Sequence, residues 1–292
     1  MSYYRKVFTS IFDFIKFKEQ LKNLLIFIPI FFSEEIFSIN YNFIASLKIF
    51  FVFFLATSLI YSFNNIIDYN DDILNKNKCY HDIFDKKTLY KILLVILIFF
   101  LYFIITIDLS KFTKILISSY VFIFFIYSLI IKKILYIDII TICAGYIIRI
   151  LSASLETNIV IHYFLYFIIF FLIFFILSCK RFSELNKFRN ESQTKAKYHP
   201  KILKIFVILS GLAVITFHFL YLIFLSNFDY DTISLILLNF FVLIIIARIA
   251  YASINNFKLV DPTKFLIQKD LVSQTIIFFY LFINILKIYI LN

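Results

Sequence analysis

The stretch from 61 to 72, YSFNNIIDYNDD, ends a long apolar run and brings three carboxylates within five positions. A helix that continues through it places Asn64, Asp68 and Asp72 at i, i+4 and i+8, on one face, with Asn65 beside Asp68. Stacked oxygen ligands suit Mg²⁺, which takes one or two carboxylates and completes its coordination with water and substrate phosphates. The spacing predicts a magnesium site with Asn64, Asp68 and Asp72 as ligands. The alternative is an ordinary polar loop between two membrane helices.

The composition is that of an integral membrane protein. Of the 292 residues 62% are hydrophobic and 16% are charged, and the net charge is +11. Soluble domains are about half apolar. In a membrane protein a basic excess indicates cytoplasmic loops that face anionic lipid headgroups, so we expect membrane lipids and no nucleic acid as partners.

Apolar runs long enough to cross a bilayer, about 20 residues, define the predicted architecture. We expect an all-α polytopic bundle of about nine transmembrane helices around a cavity open to the cytoplasmic side. The chain is interpreted as a single domain over 1–292, with an interfacial amphipathic segment at 1–21. The predicted spans are 22–40, 43–63, 89–108, 112–131, 136–155, 159–179, 202–226, 231–250 and 272–291.

Charge placement predicts the orientation of these spans. With the N-terminus in the cytoplasm, 24 of the 29 Lys and Arg fall in cytoplasmic segments, as the positive-inside rule requires. The C-terminus then lies on the opposite side of the cell (inner) membrane. The large cytoplasmic connections are 64–88, 180–201 and 251–271.

Further polar residues follow the fourth predicted span. Tyr127, Lys132, Lys133 and Asp138 surround the turn into the fifth span, and Arg149 lies about three helical turns beyond Asp138, on nearly the same face. An arginine that deep in a span normally faces a partner or a polar cavity. The alternative is an arginine that reaches the outer headgroups.

A second basic pair, Lys180 and Arg181, closes the sixth span. Basic residues at this position are either phosphate ligands or ordinary anchors on the cytoplasmic side.

These motifs together resemble the UbiA-type intramembrane prenyltransferase superfamily, and within it the decaprenyl-phosphate phosphoribosyltransferase branch. The stretch from Asn64 to Asp72 is similar to its first aspartate motif, with Asn65 where the family has a second Asp. Four further stretches support the resemblance. The first is Lys22-Asn23, and the second is Tyr127-Ser-Leu-x-x-Lys132-Lys133 together with Asp138 and Gly145-Tyr-x-x-Arg149. The third is Lys180-Arg181 with Glu184-Leu185, and the fourth is Pro262-x-x-x-Leu266-x-x-x-Asp270.

The resemblance implies a Mg²⁺-dependent transferase that moves 5-phosphoribose from phosphoribosyl diphosphate to a polyprenyl phosphate and releases pyrophosphate, in cell-envelope glycolipid synthesis. It implies catalytic roles for Asp68, Asp72, Asp138 and Arg149, and a metal role for Asp138 beside the first motif. The residues expected to contact substrate are Lys22, Asn23, Asn65, Lys78, Tyr127, Lys132, Lys133, Lys180 and Arg181.

Two alternatives remain open. A UbiA-type prenyltransferase would use the same metal site to ionise a polyprenyl diphosphate and alkylate an aromatic or other acceptor. A transporter or scaffold is the non-enzymatic alternative. Transporters usually contain helices broken by Gly or Pro at mid-membrane. This chain has only two glycines, which argues against a transporter.

Overall fold

A computed structural model describes residues 3–32, 41–70, 80, 83–188, 198–225, 232–255 and 270–289, and these residues contain helices and no strand. Two 3-10 helices occur, Phe17–Phe27 and Ile131–Lys133. The α-helices are α1 (Tyr3–Phe14), α2 (Ile28–Phe32), α3 (Tyr41–Ile67), α4 (Lys86–Thr106), α5 (Lys111–Leu129), α6 (Ile137–Thr157), α7 (Tyr163–Phe188), α8 (Pro200–Leu225), α9 (Thr232–Asn255) and α10 (Leu271–Tyr289).

The membrane-spanning helices follow the predicted apolar runs. Among the described residues seven helices, α3 to α9, are long and apolar enough to cross a bilayer, which confirms an all-α integral membrane protein. They correspond to the second through eighth predicted spans. The predicted ninth span coincides with α10, whose described apolar part, Leu271–Tyr280, is shorter. The count of nine and the orientation of the termini stay predictions.

The first predicted span, 22–40, stays a prediction, and its described part is a helix of mixed geometry. Phe17–Phe27 is a 3-10 helix, and α2 adds one short α-helical segment around Pro29. Residues 33–40 lie outside the described part of the chain. The burial pattern agrees with the 3-10 geometry, because Gln20, Asn23 and Ile26 are the buried residues of this segment. A repeat of three matches the 3.0 residues per turn of a 3-10 helix.

The chain forms two compact units. The first contains Met1–Thr141 and Gly145–Val160, and the second contains Ile142–Ala144 and Ile161–Asn292. The prediction of a single domain over 1–292 remains a prediction.

Helix α3 is the centre of the first unit. It packs against the first 3-10 helix, α4 and α5, and it is apolar around most of its circumference, as expected for a helix with neighbours on several sides. Val52, Phe53 and Ala56 of α3 are completely buried beside Ile117 of α5. This packing fixes the direction in which the polar end of α3 points.

Gly145 allows α6 to approach α5 closely. A Cβ atom at this position would lie 2.5 Å from two ring carbons of Phe124 and 3.3 Å from a ring carbon of Tyr120. We expect Gly145→Ala to lower stability by about 1–3 kcal/mol, the usual cost of overpacking. The measurement is the melting temperature in detergent. A second change, Phe124→Leu, removes the clashing ring atoms and is expected to restore part of the loss. An unchanged melting temperature of the single variant would contradict this close approach.

The second unit is built around α8, which packs against α7 and α9, while α10 packs against α9. Its core contains Phe175, Val207, Val214 and Ile249. Within it, the buried carboxylate of Asp270, just before α10, accepts hydrogen bonds from Arg248 at 2.8 Å and 2.5 Å. The hydrogen bonds from Arg248 hold the pKa of Asp270 below its usual value.

Asp270→Asn is therefore expected to lower the melting temperature near neutral pH. A carboxyl group with a lowered pKa in the folded protein stabilises it above the pKa of the unfolded chain, and this contribution disappears as the pH falls. The difference between variant and wild type should shrink from pH 7 toward about pH 4. Asp108→Asn is the control, since this carboxylate is 93% exposed. A difference that persists unchanged at low pH would rule out the ionised pair as its source.

Candidate active site

The end of α3 carries the first half of the predicted metal motif. The helical hydrogen bonding continues past Ile67, because the Asp68 amide donates to the Asn64 carbonyl at 3.0 Å. The Asn64 side-chain amide donates to Asp68 Oδ2 at 3.0 Å, one turn away. The predicted helical phase of Asn64 and Asp68 is thus confirmed. Asp72 lies outside the described residues.

Lys132 joins these two residues from the second 3-10 helix. Its Nζ donates to Asn64 Oδ1 at 3.3 Å and forms an ion pair with Asp68 Oδ1. The side chains are partly buried, with 18% of Lys132 and 30% of Asp68 exposed. One ammonium group is therefore shared by an amide oxygen and a carboxylate oxygen on successive turns of α3.

This donor set fits a hard divalent cation. Mg²⁺ prefers oxygen ligands and commonly takes only one or two carboxylates, and Asn64 and Asp68 already direct two oxygens at one cation, the Lys132 ammonium. The described residues contain no group of three or more His, Cys, Asp or Glu that could hold a metal. A complete magnesium site at this position would need Asp72, substrate oxygens or water.

A strained residue lies between Lys132 and the buried Asp138. Tyr136 has φ 68° and ψ −35°, immediately before α6. Residues other than glycine rarely adopt such a backbone conformation, which costs on the order of 1–3 kcal/mol. Because such strain persists only where the surrounding structure enforces it, we interpret the turn that carries Lys132 as held in place by its surroundings.

Tyr136→Gly is expected to melt at a higher temperature than Tyr136→Ala, since both variants lose the tyrosine side chain and only glycine adopts positive φ without strain. The difference should be on the order of 1 kcal/mol after the added flexibility of glycine in the unfolded chain. Tyr163 is the control position, because it is exposed and α-helical, and there the alanine variant should be the more stable one. The same order at Tyr136 as at Tyr163 would contradict strain at Tyr136.

Arg149 is the centre of a second polar cluster, inside the first unit. The side chain is only 3% exposed. Its Nε donates to Asn23 Oδ1 at 2.8 Å, Nη1 donates to the Gly145 carbonyl at 2.8 Å, and Nη2 donates to the Tyr120 hydroxyl at 2.6 Å. The guanidinium also lies 4.8 Å from the centre of the Tyr120 ring and 5.2 Å from that of Tyr146. These contacts place Arg149 in a polar, buried environment and bring the predicted residues Asn23 and Arg149 together.

Other predicted residues of the first unit have separate surroundings. Lys22 is half-buried and pairs with Glu19. Asn65 is fully buried and donates to the Phe14 carbonyl at 2.7 Å, which ties α1 to α3. Asp138 is buried in the first turn of α6. Tyr127 is half-buried and Lys133 is exposed.

The remaining predicted residues lie in the second unit or outside the described chain. Lys180 is half-buried near the end of α7. Arg181 donates to Glu184 at 3.0 Å, and its guanidinium lies 5.9 Å from the centre of the Tyr198 ring. Lys78 falls outside the described residues. The predicted roles of these residues stay predictions.

The sequence prediction missed Gln20, Thr57 and Tyr120, which complete the Arg149 cluster. Gln20 was assigned only to the interfacial segment 1–21, although it precedes Asn23 by one 3-10 turn. Thr57 lies about three helical turns before Asp68 on α3, on the same face. Helical phase on α3 is thus the signal that could have identified Thr57.

Comparison with known proteins adds evidence on the fold. No family model matches the sequence, and no curated protein matches it. Among the solved structures that match, one from work on digeranylgeranylglyceryl phosphate synthase in membranes has a TM-score of 0.59 at 17% identity. The match covers 98% of this chain and 96% of that chain. The chain therefore has, over nearly its whole length, the fold of a synthase that works in membranes.

Proposed function

We propose that this protein is a UbiA-type membrane transferase that acts on a phosphorylated polyprenyl lipid. The fold likeness to digeranylgeranylglyceryl phosphate synthase supports this coarser assignment. The observation that carries it is the shared position of the Lys132 ammonium between the oxygens of Asn64 and Asp68. A position that holds a cation beside a carboxylate, at the polar end of an apolar helix, can bind a divalent metal ion together with the diphosphate of a substrate.

The specific reaction we propose is transfer of 5-phosphoribose from phosphoribosyl diphosphate to a polyprenyl phosphate. An oxygen of the ionised lipid phosphate attacks C1 of the ribose, the bond from C1 to the diphosphate oxygen breaks, and pyrophosphate leaves with the electron pair. The lipid phosphate is already a nucleophile, so the reaction requires no dedicated base. The order of the sequence motifs between Lys22 and Asp270 supports this branch.

The proposed roles follow the contacts of each residue. Asn64, Asp68 and Asp72, with Asp138, would hold Mg²⁺, and a bound Mg²⁺ neutralises the negative charge of a departing diphosphate. Lys132 would bind a phosphate oxygen when a metal occupies its place beside Asp68. Arg149 would bind an anionic group of a substrate in its buried cluster.

The other predicted residues have supporting roles in this proposal. Lys133, Lys180, Arg181 and Lys78 would bind phosphates at the cytoplasmic side, with Lys22 and Tyr127 as further substrate contacts. Asn23 would act by holding Arg149. Asn65 would act by holding α1 in place.

A second reaction is favoured by the fold match itself. A prenyltransferase would bring a polyprenyl diphosphate to the same metal ligands, and the C–O bond of the lipid diphosphate would break before an acceptor is alkylated. The two reactions differ in which substrate carries the diphosphate, so a single assay separates them.

The experiment is Mg²⁺-dependent pyrophosphate release by the purified protein in detergent. One arm contains phosphoribosyl diphosphate with polyprenyl phosphate, and the other contains polyprenyl diphosphate with an aromatic acid. We expect release in the first arm, with the sugar recovered on the lipid. Release in the second arm alone would replace the proposed reaction by prenyl transfer. No release in either arm would contradict both reactions.

A further inference from the structure

The Arg149 guanidinium is oriented by neutral groups and neutralised by none of the described residues. Three of its five N–H groups donate to Asn23, Gly145 and Tyr120. One N–H on each terminal nitrogen makes no hydrogen bond to the described residues. Within the same part of the chain no carboxylate forms an ion pair with Arg149. A buried charge held this way attracts an anion strongly, and the direction of its free N–H groups decides how that anion is bound.

The 3-10 geometry places Gln20 directly over Asn23. Side chains at i and i+3 eclipse in a 3-10 helix, and Asn23 Nδ2 donates to Gln20 Oε1 at 2.9 Å. Both residues are buried, with 4% of Gln20 and 0% of Asn23 exposed. An α-helix over this segment would offset the two side chains.

Neighbouring groups determine which end of the Gln20 side-chain amide donates and which end accepts. The Gln20 amide group donates to the Ile15 carbonyl at 3.4 Å and to Ser58 Oγ at 3.1 Å. A carbonyl can only accept, so the amide of Gln20 faces Ile15 and its oxygen faces Asn23 and Thr57, whose hydroxyl donates to it. Asn23 then presents its amide to Gln20 and to Thr57 Oγ1, at 3.2 Å, and its oxygen to Arg149, which can only donate.

We propose that Gln20 is a positioning residue that aims the Arg149 guanidinium at an anionic substrate group through Asn23. This inference rests on the proposed function, in which Arg149 contacts the phosphate of a substrate. The phosphate belongs either to phosphoribosyl diphosphate or to the polyprenyl phosphate, and the binding arms of the experiment separate these sources.

The experiment is a double-mutant cycle with Gln20→Met and Arg149→Met. Methionine approximates the volume of glutamine and removes its hydrogen bonds. We expect Gln20→Met to lower kcat/KM about tenfold or more, because misplacing a binding group by about 1 Å can cost about 100-fold. The half-saturating Mg²⁺ concentration should stay unchanged. The double variant should match Arg149→Met within about twofold, since Gln20 acts only through the arginine.

Ser62→Ala is the matched control for loss of a buried polar group. The Ser62 hydroxyl is buried without a hydrogen-bond partner among the described residues, and the variant should keep both kcat/KM and Mg²⁺ dependence. Wild-type kcat/KM in Gln20→Met, or losses that multiply in the double variant, would overturn the positioning role.

Binding without turnover separates this inference from the proposed function. The melting temperature is measured without Mg²⁺ in the presence of phosphoribosyl diphosphate or of polyprenyl phosphate micelles. We expect one probe to stabilise the wild type, with the shift lost in Arg149→Met and reduced in Gln20→Met. If this holds while neither substrate pair reacts, the proposed function fails and the role of Gln20 stands. If neither probe shifts the wild type and no product forms, both fail.

Discussion

Asp68→Asn is expected to lower Mg²⁺-dependent turnover by about 100-fold or more. Asparagine keeps the volume and a hydrogen-bonding oxygen, but it removes the carboxylate charge that now pairs with the Lys132 ammonium. Metal stabilisation of a leaving diphosphate contributes several kcal/mol, and about 1.4 kcal/mol corresponds to a tenfold change in rate. The measurement is pyrophosphate release across a range of Mg²⁺ concentrations.

The same substitution should lower stability only modestly. The pair of Asp68 with Lys132 is partly buried, with 18% of Lys132 and 30% of Asp68 exposed. Its contribution therefore lies between the about 0–1 kcal/mol of a surface pair and the about 3–5 kcal/mol lost when a buried pair is broken. Asp108→Asn is the control for the chemistry of the substitution, because it removes an exposed carboxylate and should keep full turnover. Turnover like the wild type at saturating Mg²⁺ would show that Asp68 is not a metal ligand. A large fall in melting temperature would instead indicate a structural role.

Arg149→Lys is expected to lower kcat/KM by about 100-fold although the positive charge remains. The ammonium of lysine cannot reproduce the planar fork that reaches Asn23, the Gly145 carbonyl and Tyr120 at once. Loss of one preorganised donor to developing charge commonly costs about 100- to 1,000-fold in rate. The measurement is kcat/KM for the lipid and for the sugar diphosphate, each varied separately.

Arg5→Lys provides the control for this arginine substitution, since Arg5 is exposed on α1. A selective rise in KM for one substrate would identify the group that Arg149 contacts. If Arg149→Lys keeps wild-type kinetics toward both substrates, charge alone is sufficient, and the oriented fork is irrelevant to the reaction.

The sequence by itself determined the membrane class and the positions of most spans. The predicted spans from 43–63 to 231–250 coincide with helices α3 to α9, with ends that differ by at most five residues except at α7, which continues nine residues beyond the predicted end at 179. It also determined that Asn64 and Asp68 share a helix face. These features depend on the apolar length and periodicity of consecutive residues, which are properties of the chain itself.

The tertiary structure decided which residues meet. Lys132 reaches Asp68 across 64 positions, and Arg149 reaches Asn23 across 126 positions. The hydrogen bond from the buried Asn65 side chain to the Phe14 carbonyl, across 51 positions, is likewise a tertiary contact. The sequence also predicted a membrane helix from residue 22, where a 3-10 helix places Gln20 on Asn23. Periodicity specifies the face on which a side chain lies, but its hydrogen-bond partners depend on how distant helices pack together.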